Sequence, residues 1–308
     1  MKYLILNPIL GSSGAIEIDE TEYLLINNAR INLLEILFIE EKYDLFMGNY
    51  LEFETELLSI ACKNMIFLES DYFSMSDSTN TISRRVVNLL TTGRMYTDQS
   101  VQHISKIYGK KSKNKSTVET EKRTQYDNSL AYRTMEALRN HVQHCGFPIQ
   151  GLKFPCKWVD FDDQEKKSMH HILIPLINLD ELREDESFKK AILGELKLIQ
   201  KDNFIDIRKL LREYVIGISN IQGKIRHITH QDVVEWENTI FSTLDKYQNK
   251  IGSSTSCNDL ALFEMKDDDS PTIGKQIFKE FIIRRQDLEK KNNVYLNLFM
   301  RCASNELE

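Results

Sequence analysis

Residues 136–148 read EALRNHVQHCGFP, a helical pattern that comes to a clear end. Gly146 and Pro148 favour a helix end here, because glycine accepts the left-handed conformation and proline cannot continue the hydrogen-bond ladder. His144 is therefore predicted in the last turn of a helix, and Arg139 lies five residues before it. A phosphodiester-cleaving site without a metal needs one group to stabilise charge on the phosphate and one to move a proton. An arginine and a histidine side by side meet that need.

Two neighbouring residues strengthen this candidate site. Asn140 directly follows Arg139 and could orient the phosphate or the histidine. Glu136 precedes Arg139 by three residues, a spacing at which two side chains of one helix are neighbours. We therefore expect Glu136 to pair with the guanidinium of Arg139 and to hold it in place.

The composition predicts a folded, mainly α protein. Of the 308 residues 41% are hydrophobic, so the chain can bury a real core and is not expected to be disordered. Only 12 glycines and 5 prolines interrupt it, and this scarcity of turn residues favours long helices over many short strands. We predict a helical bundle with two small β-hairpins.

The predicted organisation is a single domain over residues 1–308. Short apolar strands near its start predict an N-terminal hairpin over about residues 1–20. A second pair of extended stretches predicts an inserted hairpin over about residues 152–177, and a last helix is predicted over about residues 272–302.

Several boundaries between the helices are predicted from local signals. Residues 48–49, a Gly-Asn pair, are expected to break one helix, and the small polar residues 70–80 are expected to form a loop. One long helix is predicted over 117–144, so that the opening stretch forms its end. Residues 204–222 and 230–251 are predicted as two separate helices.

Charge, cysteines and hydropathy exclude several classes of protein. The net charge is -6, so any nucleic-acid contact has to be a local patch. The five cysteines include no CxxC pair, which argues against a zinc ribbon and a disulfide framework. No segment approaches the roughly 20 apolar residues that a membrane span requires. We expect a soluble, cytoplasmic protein without a membrane partner.

At residues 135–144 the chain resembles a known family. The arrangement Arg139-Asn140-x-x-x-His144, near the end of a long helix in an α-helical setting, is similar to the motif of the HEPN superfamily. There an R-x4–6-H motif, often with a polar residue after the arginine, marks metal-independent endoribonucleases. Many members act as toxins or in abortive infection and other antiphage systems. The resemblance does not extend to the two hairpins or the C-terminal helix.

The resemblance implies a HEPN-like helical bundle and a mechanism. Two subunits would pair so that both motifs line one cleft, and no cofactor or metal would take part. Arg139 would hold the scissile phosphate, and His144 would act as general acid or base while the RNA 2′-OH attacks the phosphorus. The product would carry a 2′,3′-cyclic phosphate. A homodimer is the expected state, and a regulatory or antitoxin protein is a possible further partner.

Further residues are candidates for holding RNA. Cationic side chains can contact phosphates, and aromatic rings can stack on unpaired bases. A lysine-rich stretch over residues 110–116 is predicted as a loop. The RNA-binding candidates are Arg84, Arg85, Tyr132, Arg133, Lys110, Lys111 and Lys113.

Metal binding is an alternative chemistry for the same stretch. His141 and His144 have the spacing of half a zinc site, and Cys145 follows them, but no second pair stands at an obvious spacing. His227 and His230 form another His-x-x-His, predicted in a loop before a helix. We therefore expect no metal. Two other functions stay open beside the ribonuclease: a non-catalytic RNA-binding or regulatory HEPN protein, and a structural helical scaffold.

Overall fold

The computed structural model describes residues 2–8, 14–68, 71–160, 167–252, 260–265, 272, 274–277 and 279–292. This part of the chain is mostly helical and carries a few small antiparallel strands, so the prediction of a mainly α protein is confirmed. Its helices are α1 (Glu20–Phe67), α2 (Tyr72–Tyr108), α3 (Lys113–Asn128), α4 (Leu130–His144), α5 (Leu179–Glu184), α6 (Lys190–Ile199), α7 (Ile207–Ile251) and α8 (Glu280–Lys291). Its strands are β1 (Lys2–Leu6), β2 (Ala15–Ile18), β3 (Gly151–Lys153), β4 (Cys156–Asp160), β5 (Lys167–His171), β6 (Ile174–Asn178), β7 (Phe204–Asp206), β8 (Ala261–Met265) and β9 (Lys275–Gln276).

The chain divides into two compact units. The first takes its residues from Met1–Asp44, Gln99–Ser116 and Lys224–Asn293. The second takes Leu45–Asp98 and Thr117–Gly223, together with C-terminal residues that lie outside the described part. Because both units are assembled from several separate stretches, the prediction of a single domain over residues 1–308 stays a prediction.

The first unit contains a small antiparallel sheet in the order β2-β1-β8-β9. The predicted N-terminal hairpin is present: β1 pairs with β2, with Tyr3 opposite Ile18. Tyr3 also stacks on Tyr23 of α1, with ring centroids 4.4 Å apart, which packs the hairpin onto the helix. Strand β8 pairs with the other edge of β1, a long-range pairing for which the sequence carried no local signal.

The inserted hairpin is also present, and it has two parts. Strands β4 and β5 form a two-stranded ribbon with Cys156 opposite His171. Strand β3 pairs with β6, and β6 pairs on its other edge with β7 to give a three-stranded sheet. Residues 161–166, between β4 and β5, lie outside the described residues.

Two predicted interruptions of the early helices are wrong. Helix α1 runs straight through Gly48, because a glycine inside a helix costs only about 1 kcal/mol and packing outweighs that cost. Phe46 and Phe53, on either side of Gly48, are fully buried. The predicted loop 70–80 is almost entirely helical, since α2 already begins at Tyr72. The Asp71 carboxylate caps that start by accepting hydrogen bonds from the backbone N–H groups of residues 73 and 74, at 3.0 and 3.1 Å.

The predicted long helix over 117–144 is two helices. Ser129 separates them: it is extended (φ -121, ψ 115), and its hydroxyl accepts from the backbone N–H of Tyr132 at 3.1 Å. A serine at this position satisfies a donor that the first turn leaves unpaired, so α4 begins afresh. The lysine-rich loop is also shorter than predicted, because α3 already begins at Lys113.

The later helices differ from the prediction as well. Helix α7 is continuous from Ile207 to Ile251, so His227 and His230 lie inside a helix and not in a loop. Within the predicted C-terminal helix over 272–302, the described residues form a shorter helix, α8 (Glu280–Lys291). Strand β9 (Lys275–Gln276) precedes it. Residues 293–302 lie outside the described part of the chain. Among the described helices, none has the length and apolar character needed to cross a lipid bilayer.

Candidate functional site

Helix α4 presents the predicted motif in its last two turns. Its inner face buries Ala131, Met135 and Leu138, which fixes the helix in the second unit. His144 is the final helical residue, as predicted, and its side chain is exposed. Arg139 is partly exposed, and its Nη1 donates to Asn140 Oδ1 at 3.0 Å. Asn140 was expected to orient the phosphate or the histidine, whereas the contact that the structure shows is this hydrogen bond to the arginine.

The described residues leave most of the bonding capacity of this pair unused. Among the described side chains, Arg139 donates a hydrogen bond to that of Asn140. The side chain of His144 makes no hydrogen bond with a described residue. A guanidinium carries five N–H donors, so Arg139 can still hold a phosphate in its fork. An exposed imidazole can take and return a proton.

Helix α4 was expected to end with Gly146 in the left-handed conformation, but its end is formed in another way. Cys145 is the C-cap, and its backbone N–H donates to the carbonyl oxygen of His141 at 2.7 Å. Gly146 is not in the left-handed region. Its lack of a side chain leaves room for the His141 ring, because an added Cβ would lie only 3.1 Å from His141 Nε2. The glycine thus allows a buried histidine ring to pack under the turn.

Glu136 does not hold Arg139, and this corrects the expected pairing. One carboxylate oxygen of Glu136 accepts from Nη1 of Arg94 on α2, at 3.0 Å. The other accepts from the hydroxyl of Tyr214 on α7, at 3.2 Å. Burial first, and then the negative charge of Glu136, raises the pKa of the Tyr214 hydroxyl well above its ordinary value, so this hydroxyl is a proton donor. Glu136 therefore joins three helices of the second unit.

Three of the RNA-binding candidates have structural roles. Tyr132 is 3% exposed and packs against Tyr214, with ring centroids 5.1 Å apart, so its face is not accessible to a base. Arg133 donates to both carboxylate oxygens of Glu195, at 2.9 and 2.7 Å. Arg85 is paired with two glutamates of α1. Packing and ion pairs inside the unit thus engage all three side chains, and their contact with RNA stays a prediction.

The other candidates are exposed. Arg84 is exposed, and its Nη2 lies 3.5 Å from the hydroxyl oxygen of Thr81. Lys110, Lys111 and Lys113 are exposed too, but Lys113 starts a helix. These lysines belong to the first unit, whereas the motif belongs to the second.

A second cluster of polar side chains lies next to the motif, and the sequence indicated two of its three members. His141 is buried, and its Nδ1 lies 2.8 Å from Oδ2 of Asp185, the residue that ends α5. The thiol of Cys145, one turn after His141, also contacts that carboxylate. One ligand atom of each of the three residues lies within 4.8 Å of the others. The predicted half-site paired His141 with His144, but Asp185 takes that place from 44 positions away, where no local pattern could reveal it.

Hydrogen bonds, burial and the negative charge of Asp185 shift the pKa values in this cluster. The Ser187 side chain donates to the other carboxylate oxygen at 2.6 Å. This bond, together with the contact to His141, holds the pKa of Asp185 well below its usual range against the opposing effect of burial. Partial desolvation and the negative charge of Asp185 raise the pKa of the Cys145 thiol. Cys145 is therefore not an activated nucleophile in this state.

One pocket of the second unit does not include the motif residues. It is lined by residues near the end of α1 and the start of α2, including Phe67 and Phe73, and neither Arg139 nor His144 lines it. In one copy of the chain the motif is thus presented on a helix end and not at that pocket.

No protein-family model matches this chain, and neither a curated protein nor a solved structure is significantly similar to it. The functional argument therefore rests on the residues and their geometry.

Proposed function

We propose that this chain is a metal-independent endoribonuclease of the HEPN type, with a HEPN-like helical bundle around α4. The observation that carries the proposal is the pair Arg139 and His144: both lie near the same helix end, and the rest of the unit engages little of either side chain. The resemblance of the motif to antiphage and toxin ribonucleases suggests a role in defence or as a toxin. An RNA substrate makes the cytoplasm the expected compartment.

In the proposed reaction Arg139 stabilises charge and His144 transfers protons. The guanidinium of Arg139 binds the non-bridging oxygens of the scissile phosphate and stabilises the charge that develops there. A histidine removes the proton of the 2′-OH, whose oxygen then bonds to phosphorus. The bond from phosphorus to the 5′-oxygen breaks, and the imidazolium returns the proton to that oxygen. The products are a 2′,3′-cyclic phosphate and a 5′-hydroxyl.

A composite site made by two copies explains the spacing. Five helical residues place the two side chains roughly 7–8 Å apart along the axis and about 140° apart around it. One motif therefore does not converge on a single phosphate. If two α4 helix ends meet across a two-fold axis, the arginine of one copy can face the histidine of the other. Neither Arg139 nor His144 lines the pocket formed by the end of α1 and the start of α2, which fits this arrangement.

RNA contacts outside the motif fall on the exposed cations. The net charge of -6 requires a local patch, and Arg84 is the exposed arginine of the second unit among the original candidates. Lys110, Lys111 and Lys113 are the corresponding side chains of the first unit. Asn140 contributes by fixing the direction of the Arg139 guanidinium.

RNA cleavage by the purified chain in the presence of EDTA tests the proposal. Wild type is expected to cleave, and Arg139→Ala and His144→Ala are expected to lose roughly 10²–10³-fold or more in rate. His230→Ala is the matched control, because His230 is an exposed histidine on another helix. Equal cleavage by all four proteins would refute the site.

The same assay separates the alternatives. RNA binding without any cleavage would favour the non-catalytic, regulatory protein. Neither binding nor cleavage would favour the structural scaffold. Cleavage that requires added metal would contradict the proposed chemistry, since neither Arg139 nor His144 acts through a metal in it.

A further inference from the structure

We propose that His141, Cys145 and Asp185 form a binding site for a zinc ion at the C-terminal end of α4. The site holds the end of this helix to the segment after α5. No step of the proposed cleavage uses the ion as a reactant, so its binding can be tested without RNA.

The backbone brings the three donors together. His141 and Cys145 are four residues apart, so they lie on one face of α4, one turn from each other. Asp185 approaches from the end of α5, and a ligand atom of each residue lies within 4.8 Å of the others. In a tetrahedral zinc site the bond lengths place ligand atoms roughly 3.4–3.6 Å apart. Small side-chain movements would therefore admit the ion.

The chemistry of the donors selects the metal. An imidazole, a thiol and a carboxylate are the three side-chain types that bind zinc in proteins. A thiolate among them disfavours magnesium and calcium, which take oxygen ligands. The side chains of His141 and Asp185 are only 4% and 3% exposed, whereas Cys145 is exposed. The buried pair fixes the geometry, and the cysteine side gives the ion an entry route and a solvent-facing position.

A second observation concerns the other nitrogen of the histidine. Nε2 of His141 is buried and has no hydrogen-bond partner among the described residues. Buried polar atoms are normally partnered, so the ring has bonding capacity that the described residues do not satisfy. Gly146 packs against this nitrogen, since an added Cβ there would lie 3.1 Å from it.

Zinc at this position would act on the motif through the backbone. His144 is the residue directly before Cys145, so an ion bound by Cys145 restrains the last turn in which the proposed general acid–base lies. Asp185 ties that turn to the segment between α5 and α6. The role we assign to the ion is therefore structural.

Zinc titration of the full-length protein tests the site without RNA. The protein is stripped with EDTA, dialysed and titrated with zinc chloride by calorimetry. Cobalt(II) is used as a spectroscopic probe, because a cysteine ligand gives a near-ultraviolet charge-transfer band. We expect one zinc per chain and a cobalt band in wild type. Cys145→Ser should weaken zinc binding by at least about tenfold and remove the band.

Two cysteines serve as matched controls. Cys62 is exposed on α1, and Cys62→Ser should bind zinc like wild type. Cys156 lies 3.6 Å from Nδ1 of His171 on the β4–β5 ribbon, the other Cys–His contact of the described residues, and Cys156→Ser should also bind normally. Because Cys145 is exposed, its serine variant is expected to fold, and circular dichroism checks this.

The outcomes are distinct. Absence of stoichiometric zinc binding by wild type, or unchanged binding by Cys145→Ser, would overturn the site. Loss of binding in Cys156→Ser would move the metal to the ribbon and would also overturn it. A protein that binds zinc through Cys145 but does not cleave RNA would leave this inference standing while the ribonuclease proposal fails, and the reverse result would do the opposite.

Discussion

Replacing Glu136 separates a structural role from a catalytic one. Its carboxylate accepts from the hydroxyl of Tyr214, which is fully buried, and from Arg94, whose side chain is 43% exposed. In Glu136→Ala the buried tyrosine hydroxyl loses its acceptor, which costs about 1–3 kcal/mol. The pair with the exposed arginine adds less than about 1 kcal/mol after allowance for solvent screening. We expect a total loss of about 2–3 kcal/mol in the free energy of unfolding.

The isosteric variant should behave differently. In Glu136→Gln the amide oxygen can still accept from Tyr214, so the loss should stay below about 1 kcal/mol. Urea denaturation followed by circular dichroism measures both values, and Glu184→Gln is an exposed control on α5. RNA cleavage under conditions where each variant is folded gives the second measurement.

Glu136 makes its bonds to Arg94 and Tyr214, so the rate per folded molecule should be close to that of wild type in Glu136→Gln. A rate loss of 10²-fold or more in the folded glutamine variant, without loss of stability, would refute this reasoning and would restore Glu136 to the catalytic group.

Three further variants test the local physics of α4 and of the cluster beneath it. Ser129→Ala removes the N-cap of α4 and should lower the free energy of unfolding by about 1 kcal/mol in urea denaturation, whereas Ser129→Asp should preserve it. Gly146→Ala brings a Cβ against His141 and should destabilise the protein by about 1–3 kcal/mol; an unchanged thermal midpoint would show that the ring simply moves aside. The pKa of Asp185 is lowered in the folded state, so its stabilisation is complete above about pH 4–5, where the unfolded aspartate is ionised, and is lost as the pH falls towards the lowered value. Asp185→Asn should therefore flatten the acid limb of a stability–pH profile, and an identical limb in both proteins would contradict the assignment.

The sequence predicts well where the signal is local and periodic. The mainly helical character, both hairpins and the position of His144 in the last turn follow from apolar spacing and turn residues. The predicted breaks at residues 48–49 and 223–229 are wrong because packing overrides weak helix formers, as the buried Phe46 and Ile225 show. In contrast, the start of α4 at Ser129 was missed, although a capping serine is a recognisable signal.

The candidate site was predictable only in part. Arg139, Asn140 and His144 are close in sequence, so their placement on one helix end followed from the helix itself. The partners of Glu136 come from α2 and α7, and Asp185 comes from beyond the inserted hairpin. Contacts over such separations depend on tertiary packing, which no spacing rule for a single helix contains.

Mixing two inactive variants tests directly whether the site is shared between two copies of the chain. Arg139→Ala and His144→Ala are assayed for RNA cleavage separately and after co-refolding or co-expression, with EDTA present throughout. If each site takes its arginine from one copy and its histidine from the other, a heterodimer of the two variants regains one intact site. Random pairing should then restore about a quarter of the wild-type rate, although each variant alone is inactive. Full cleavage by either variant alone, or a mixture as inactive as its components, would contradict the account.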